Sequence, residues 1–466
     1  MPLRNIVIIA IAAVVSLACY SVGTRSRYAK LYSEAMHIVM HEGLMKTDER
    51  TLFDDSIDGM LSKFDRDTTY YHDGDFKSFE EDMQQRFDGI GMHIDLDEEA
   101  KMLVVLAPIP SGPASEAGLR PGDELVSIDD KPVDFTKRNE VVRMIRGPSG
   151  SSAKITVRRA GQELTFNVPR RPIDVPSVQG DWLNSNGKWS FVLRDHPRLG
   201  YLRITQFGDN TAAEFKSALE EIRDNIDGLL IDVRNNPGGL LPEVVKICDY
   251  FLPAGKLIVE TRGREQIVKE RHETTSDMQL PEGMPVVVLI DHHSASASEI
   301  LAACLQDHQR AVVVGERSFG KGTVQNLILL ENRRSALKLT TASYWRPSGK
   351  NIDRPSSLQN KSSEWGVLPN PGHKIPVNEI EIANLYRLRH LRDLAGIQEG
   401  FRFTPKPSYF FMKPILEVTN TAGHESHDSA DTQEPQPDSG SDPKKMDFTD
   451  RALQHAIQLL KPNNAR

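Results

Sequence analysis

The spacing of apolar residues changes several times along this chain, and each change predicts a different element. Ile6 to Tyr20 is almost wholly apolar, with Arg4 before it and Arg25, Arg27 and Lys30 after it. A run of about fifteen apolar residues is the length of a signal-peptide core or a short signal-anchor. Residues 1–24 are therefore read as a signal peptide or membrane anchor, with an uncleaved anchor preferred. Residues 25–86 carry apolar positions at helical spacing, in Leu31, Ala35, Ile38 and Val39 and again in Ile57, Met60, Leu61 and Phe64, and read as helical. From Phe87 the period shortens. Leu103–Leu106, Glu124–Ile128, Ala153–Arg158 and Leu164–Val168 alternate with Gly/Pro punctuation and predict a small β-rich domain over 87–172.

A third rhythm begins near Gly200. Tyr201–Thr205 and Gly228–Val233 read as strands, Ala212–Asn225 and Leu241–Phe251 as helices. Pro285–Ile290 then reads as a buried strand, Ser296–His308 as a helix and Ala311–Gly315 as a further strand. Strands alternating with helices predict an α/β core, here placed over 173–375. A C-terminal extension (376–420) precedes Thr421–Ser441, which holds no Ile, Leu, Val or aromatic residue. Such a segment buries too little surface to offset its ordering entropy, so 421–447 is expected to be a disordered acidic linker. Leu453, Ile457 and Leu460 restore helical spacing in 448–466. The fold class expected is α/β (α+β, multidomain): an α/β core, an inserted β-rich domain and a helical N-terminal segment.

Composition narrows what such a protein does. With 57 Lys+Arg against 65 Asp+Glu the net charge is −8, which speaks against a dedicated nucleic-acid binder. Cys19, Cys248 and Cys304 are too few and too scattered for a disulfide framework, and no CxxC or HExxH pattern supports zinc. No metal and no cofactor are expected.

The strongest chemical signal is Asp291-His292-His293-Ser294-Ala295-Ser296-Ala297-Ser298-Glu299, which joins a buried strand to a helix, followed by Ser318–Gln325. Ser296 with Glu299 satisfies the pattern of a capping box, which alone would explain a helix start. Three alternating serines among alanines exceed what a cap requires. Small neighbours open the space before a reactive hydroxyl, and a helix N-terminus presents N–H donors. A serine needs a base to take its proton. His292 and His293 precede Ser296 on a tight turn and need not point at it. Lys321, between Gly320 and Gly322, is held by a constrained backbone and is the better candidate for a neutral-amine base. On an extended chain, Thr323 and Gln325 share a face with Lys321, so Gln325 can orient its amine. Oxyanion donors are available at Ala297 N–H and in the turn Pro237-Gly238-Gly239.

These residues resemble a known family. The run Leu230–Gly239, the SASASE segment at 294–299 and Phe319-Gly320-Lys321-Gly322 with Val324-Gln325 are similar to the carboxyl-terminal processing (tail-specific) proteases, Ser/Lys peptidases of the S41 group. The family spaces its serine and lysine 25 positions apart, the separation of Ser296 from Lys321, which selects the middle serine. The resemblance implies Ser296 as nucleophile, Lys321 as general base, Gln325 as lysine orienter, and Gly239 and Ala297 as oxyanion donors. Within 87–172, Gly89-Ile90-Gly91-Met92 resembles the carboxylate-binding loop of a PDZ domain, and Ala117–Asp123 the turn before one of its strands. A glycine loop with successive N–H groups holds a terminal carboxylate while the peptide adds a strand to a sheet edge.

The expected partners are protein or peptide substrates with accessible C-termini, no nucleic acid, and a membrane through the N-terminal segment. A homo-oligomer through the terminal helical parts is implied by the resemblance alone. The expected location is extracytoplasmic (periplasm or cell envelope), anchored to the inner membrane. Two other readings stay open: a catalytically inactive PDZ scaffold, and an acyl-transfer hydrolase with a non-peptide substrate.

Overall fold

The structure, a computed structural model, describes residues 27–354 apart from 73, 98–100, 110–111, 185–186 and 276–277. It also describes 364–378, 449–461, isolated positions between 381 and 393, and Asn5 and Ile11. The expected anchor segment, most of the 376–420 extension and the 421–447 linker lie outside the described residues. Among the described residues no helix is long and apolar enough to cross a membrane.

The chain divides into two compact units. The first holds the residues up to Phe76 together with Gln325–Thr340. Helix α1 (Arg27–Glu42) buries none of its residues. Helix α2 (Glu49–Leu61) starts at Asp48, whose carboxylate accepts the Thr51 N–H at 3.0 Å. The helical reading of 25–86 is corrected at Thr69–Tyr71, which forms a strand pairing antiparallel with Ala336–Lys338. A β-branched and aromatic run beside a distant partner strand prevails over the local helical rhythm.

The second unit runs from Lys77 to Val324 and resumes at Thr341. Its β-rich module is an antiparallel sheet of β1 (Met92–Asp97), β2 (Met102–Pro108), β3 (Glu124–Ile128), β4 (Ser152–Arg159) and β5 (Gln162–Pro169), in that spatial order. Helix α3 (Arg138–Ile145) buries Val141 and Ile145 against Leu103, Val105, Ile128 and Ile155. The turn Ala117–Asp123 is fixed from β4: Arg159 donates to both Asp123 carboxylate oxygens, at 2.6 and 2.7 Å, and to Gly118 O at 2.9 Å. Asp123 is fully buried, so this fork satisfies a charge that burial would otherwise penalise.

In the six-stranded core sheet β6 (His196–Ile204), β7 (Gly228–Asp232), β8 (Val286–Ile290) and β9 (Val312–Gly315) run parallel, and the short strands Val178–Gln179 and Val192–Leu193 pair antiparallel with β6. Parallel strands are covered on both faces and so read as unbroken apolar runs. Side chains alternate between the faces. Leu229, Ile231, Val288 and Ile290 pack under α4 (Thr211–Ile222), α5 (Leu241–Asp249) and α6 (Ala297–Asp307). Tyr201, Leu230, Val287 and Leu289 pack under α7 (Arg451–Leu460) through Leu453, Ala456, Ile457 and Leu460. The C-terminal helix is thus part of the core. Asp450 caps it at Leu453 N–H and pairs with Arg234 at 2.9 Å.

Candidate active site

Two strand ends build the site, at the carboxyl edge of the sheet where α/β folds place their chemistry. After β7 the chain turns through Arg234–Gly239, and after β8 through Asp291–Ser296 into α6. Arg234 is clamped between buried acids, donating to Asp232 at 2.6 Å and to Asp450 at 2.9 Å. Burial opposes ionisation of Asp232, but Arg234 beside it holds the carboxyl well below the usual range. Asp291 Oδ1 then ties the two turns together, accepting the N–H groups of Asn235, His293 and Ser294, each at 3.0 Å.

The serines separate by what their hydroxyls do. Ser294 Oγ donates to Val233 O at 2.8 Å and Ser298 Oγ to Asn236 O at 3.0 Å, both fully buried. Each pins the glycine turn to the helix start. Ser296 retains 8% exposure and sits at φ 53°, ψ −113°, a conformation an L-residue adopts only under constraint. Its side chain is in hydrogen-bond contact with the Tyr344 phenol, which burial pushes up to about 12.

Glu299 is the residue that sequence reasoning undervalued. Its Oε2 accepts Ser296 N–H and Lys321 N–H, both at 2.8 Å. Its Oε1 accepts the Ser318 hydroxyl at 2.5 Å and Gly320 N–H at 2.7 Å. One buried carboxylate therefore fixes the backbone at the serine and at the lysine. Burial raises Glu299 to about 7, against the hydrogen bonds it accepts. The capping pattern is half of its role; the other half arrives from the 318–321 segment, which no local motif announces. Lys321 is half-buried, and its neighbour Gly322 lies so close to Asp353 that a Cβ there would stand 2.2 Å from Asp353 N. The glycines flanking the lysine are required by close approach, as the sequence reading expected.

The glycine turn lies directly against Ser296. A Cβ on Gly238, at φ 105°, would come within 2.7 Å of Ser296 Cβ and 3.0 Å of Ala297 N. Asn236 secures the turn, accepting Gly238 N–H at 2.8 Å and donating to Ile204 O at 2.8 Å. Among the described residues the N–H groups of Gly239 and Ala297 carry no hydrogen bond. Ala297 follows Ser296 directly, and Gly239 follows the glycine that lies against it.

Gln325 belongs to the first unit, where its side-chain amide reaches Thr340 Oγ1 at 3.5 Å. His292 faces Glu316 at 3.7 Å, and its ring lies tilted against that of His293 with centroids 4.0 Å apart. In the β-rich module Gly89 ends a strand paired with Arg171, Ile90 is fully buried, and Met92 opens β1 opposite Pro108. The carbonyls of Ile90 and Gly91 accept Ala114 N–H and Ile109 N–H at 2.8 and 3.0 Å. The loop is thus anchored through its oxygens, while the N–H groups of Ile90 and Gly91 make no hydrogen bond among the described residues. Arg146 stacks over Phe87 and pairs with Glu81 at 3.4 Å.

Residues 198–360 match Peptidase family S41 and residues 104–159 match the PDZ domain. A carboxy-terminal-processing protease of Bartonella bacilliformis is 36% identical over 312 residues, 66% of this chain and 68% of that one. Carboxy-terminal processing protease CtpB of Bacillus subtilis is 33% identical over 69% of this chain and 65% of its own length. Among solved structures, a photosystem II D1 C-terminal processing protease aligns with a TM-score of 0.43 at 25% identity, over 79% of this chain and 98% of that one.

Proposed function

Since the chain belongs to the carboxy-terminal processing proteases of peptidase family S41, we propose that it is an endopeptidase working through a Ser296/Lys321 dyad. Lys321 Nζ takes the Ser296 hydroxyl proton, and Oγ attacks the scissile carbonyl. The oxyanion that forms is held by Gly239 N–H and Ala297 N–H. Collapse expels the amine of the downstream fragment, which takes the proton from Lys321 and leaves an ester on Ser296. Water, deprotonated by Lys321, then hydrolyses the ester. The loop Gly89–Met92 holds the substrate's terminal carboxylate, which makes proteins with accessible C-termini the substrate class. The Ile6–Tyr20 run supports an extracytoplasmic location with a membrane anchor.

The carrying observation is the state of the three serine hydroxyls. Ser294 and Ser298, both fully buried, spend theirs on backbone carbonyls, whereas Ser296 keeps some exposure and its hydroxyl meets the Tyr344 phenol beside the glycine turn. A covalent trap tests the reading. Protein lacking residues 1–24 is treated with a serine-directed phosphonate and mapped by mass spectrometry. A single adduct on Ser296 is expected, absent from Lys321→Ala. Turnover of an unfolded substrate by protein whose Ser296 never becomes labelled would count against it.

A further inference from the structure

Tyr344 reaches the Ser296 hydroxyl from a third segment, outside the turns that follow β7 and β8. It lies near the end of the strand Ser335–Trp345, opposite Thr261 on a neighbouring strand, and keeps only 5% exposure. Its ring joins the apolar core that holds Val259, Ala297 and Ile300. The main chain is fixed on both sides. Tyr344 N–H donates to Gly322 O at 2.6 Å, and Tyr344 O accepts Ile352 N–H at 3.4 Å. The first of these bonds ties the tyrosine to the residue after Lys321. Among the described residues, the side chain in hydrogen-bond contact with the buried phenol is that of Ser296. Packing alone would be served by phenylalanine, and a buried hydroxyl without a partner is costly, so this hydroxyl needs the serine.

The direction of the bond follows from the acidities of its two ends. Burial raises the phenol to about 12, and the charge of Glu270 pushes the same way, so Tyr344 stays protonated and cannot be the base. A phenol is a stronger acid than an alcohol, so of the two hydroxyls Tyr344 is the better donor. Ser296 Oγ carries one proton and two lone pairs. With the proton directed to Lys321 Nζ, a lone pair is left to accept the phenol. We infer that Tyr344 is a catalytic residue whose hydroxyl donates to Ser296 Oγ and stabilises the negative charge gathering there during attack. The inference rests on the Ser296/Lys321 reading. In that step the serine proton passes to Lys321 Nζ, the Oγ–C bond forms and the carbonyl π pair moves onto its oxygen. Tyr344 keeps its own proton throughout. Its bond strengthens as Oγ gains charge and weakens once Oγ is an ester oxygen, so it favours the transition state over the states on either side. The same contact acts again when the ester is hydrolysed and Oγ departs.

The test uses full-length protein, wild type and Tyr344→Phe, with an aryl phosphonate that labels Ser296. Labelling is expected to slow by about 10- to 100-fold in Tyr344→Phe, and kcat for an unfolded protein substrate to fall in step while KM stays put. The pH at which labelling is half-maximal should not move, because Lys321 remains the base. Replacing Tyr344 with 3-fluorotyrosine makes the same ring a stronger donor and a weaker acceptor, so labelling should be at least as fast as in wild type. Thermal melts check folding, and the fluorinated protein decides the matter where Tyr344→Phe fails to fold. Labelling of folded Tyr344→Phe at the wild-type rate or faster, a displaced pH midpoint, or slower labelling with 3-fluorotyrosine overturns the donor role and leaves the dyad standing. Turnover by wild-type protein that never becomes labelled at Ser296 overturns the dyad reading itself, and the inference with it.

Discussion

Ser296 and Lys321 are joined through one atom: both donate their backbone N–H to Glu299 Oε2 at 2.8 Å. The proposed nucleophile and base come from segments on either side of β9, yet their main chains cannot shift independently. Preorganisation of this kind lowers the cost of reaching the reactive geometry.

Glu299→Gln tests that link. The substitution turns one acceptor oxygen into an NH2 group facing N–H donors in a buried site. We expect kcat/KM to fall by about 100-fold or more, and urea denaturation to show a loss of about 1–3 kcal/mol. Unchanged kcat/KM would show that the shared carboxylate does not position the pair.

The pH response should separate activity from stability. Glu299 rises to about 7 through burial, from an ordinary 4.5. With the folded value above the unfolded one, its stabilising contribution is complete below about 4.5 and is lost as pH rises through about 7. Activity runs the other way, because a protonated carboxyl cannot accept all four donors. Cleavage should therefore decline as pH falls through about 7, while the urea midpoint loses nothing from this group between pH 7 and 5. Activity loss that tracks unfolding across the same window would contradict the assignment.

The three serines should respond differently to alanine. Ser294→Ala and Ser298→Ala each remove a buried hydroxyl donor and should cost about 1–2 kcal/mol, with activity reduced only in part. Ser296→Ala should leave the urea midpoint within about 0.5 kcal/mol of wild type and abolish cleavage. Measuring all three side by side distinguishes a structural hydroxyl from a reacting one.

Gly238→Ala places a methyl 2.7 Å from Ser296 Cβ on a backbone with φ 105°. About 1–3 kcal/mol of strain is expected together with a large fall in kcat. Gly283→Ala, where nothing stands within 4 Å of the new methyl, is the matched control and should cut normally. Equal activity of the two variants would remove the glycine turn from the site.

Much of this arrangement was legible in the chain. The strands Gly228–Asp232 and Val286–Ile290 are short unbroken apolar runs, and the helix starting at Ser296 carries its own cap pattern. What escaped depends on partners far along the sequence. Thr69–Tyr71 forms a strand because Ala336–Lys338 lies beside it. Glu299 reads locally as a cap, and its bonds to Ser318, Gly320 and Lys321 exist only once the sheet is assembled. The C-terminal helix was visible from its spacing, whereas its seat was not, since Asp450 meets Arg234 across 216 positions. The choice of Ser296 over its neighbours came from a resemblance in spacing; the engagement of Ser294 and Ser298 with Val233 O and Asn236 O was not legible in the chain.

The dyad itself is tested most directly by kcat/KM for an unfolded protein substrate, measured for wild type, Lys321→Met and Ser296→Ala. Loss of about 10³-fold or more is expected in both variants, with thermal midpoints close to wild type. Cleavage by Lys321→Met at the wild-type rate would contradict the account.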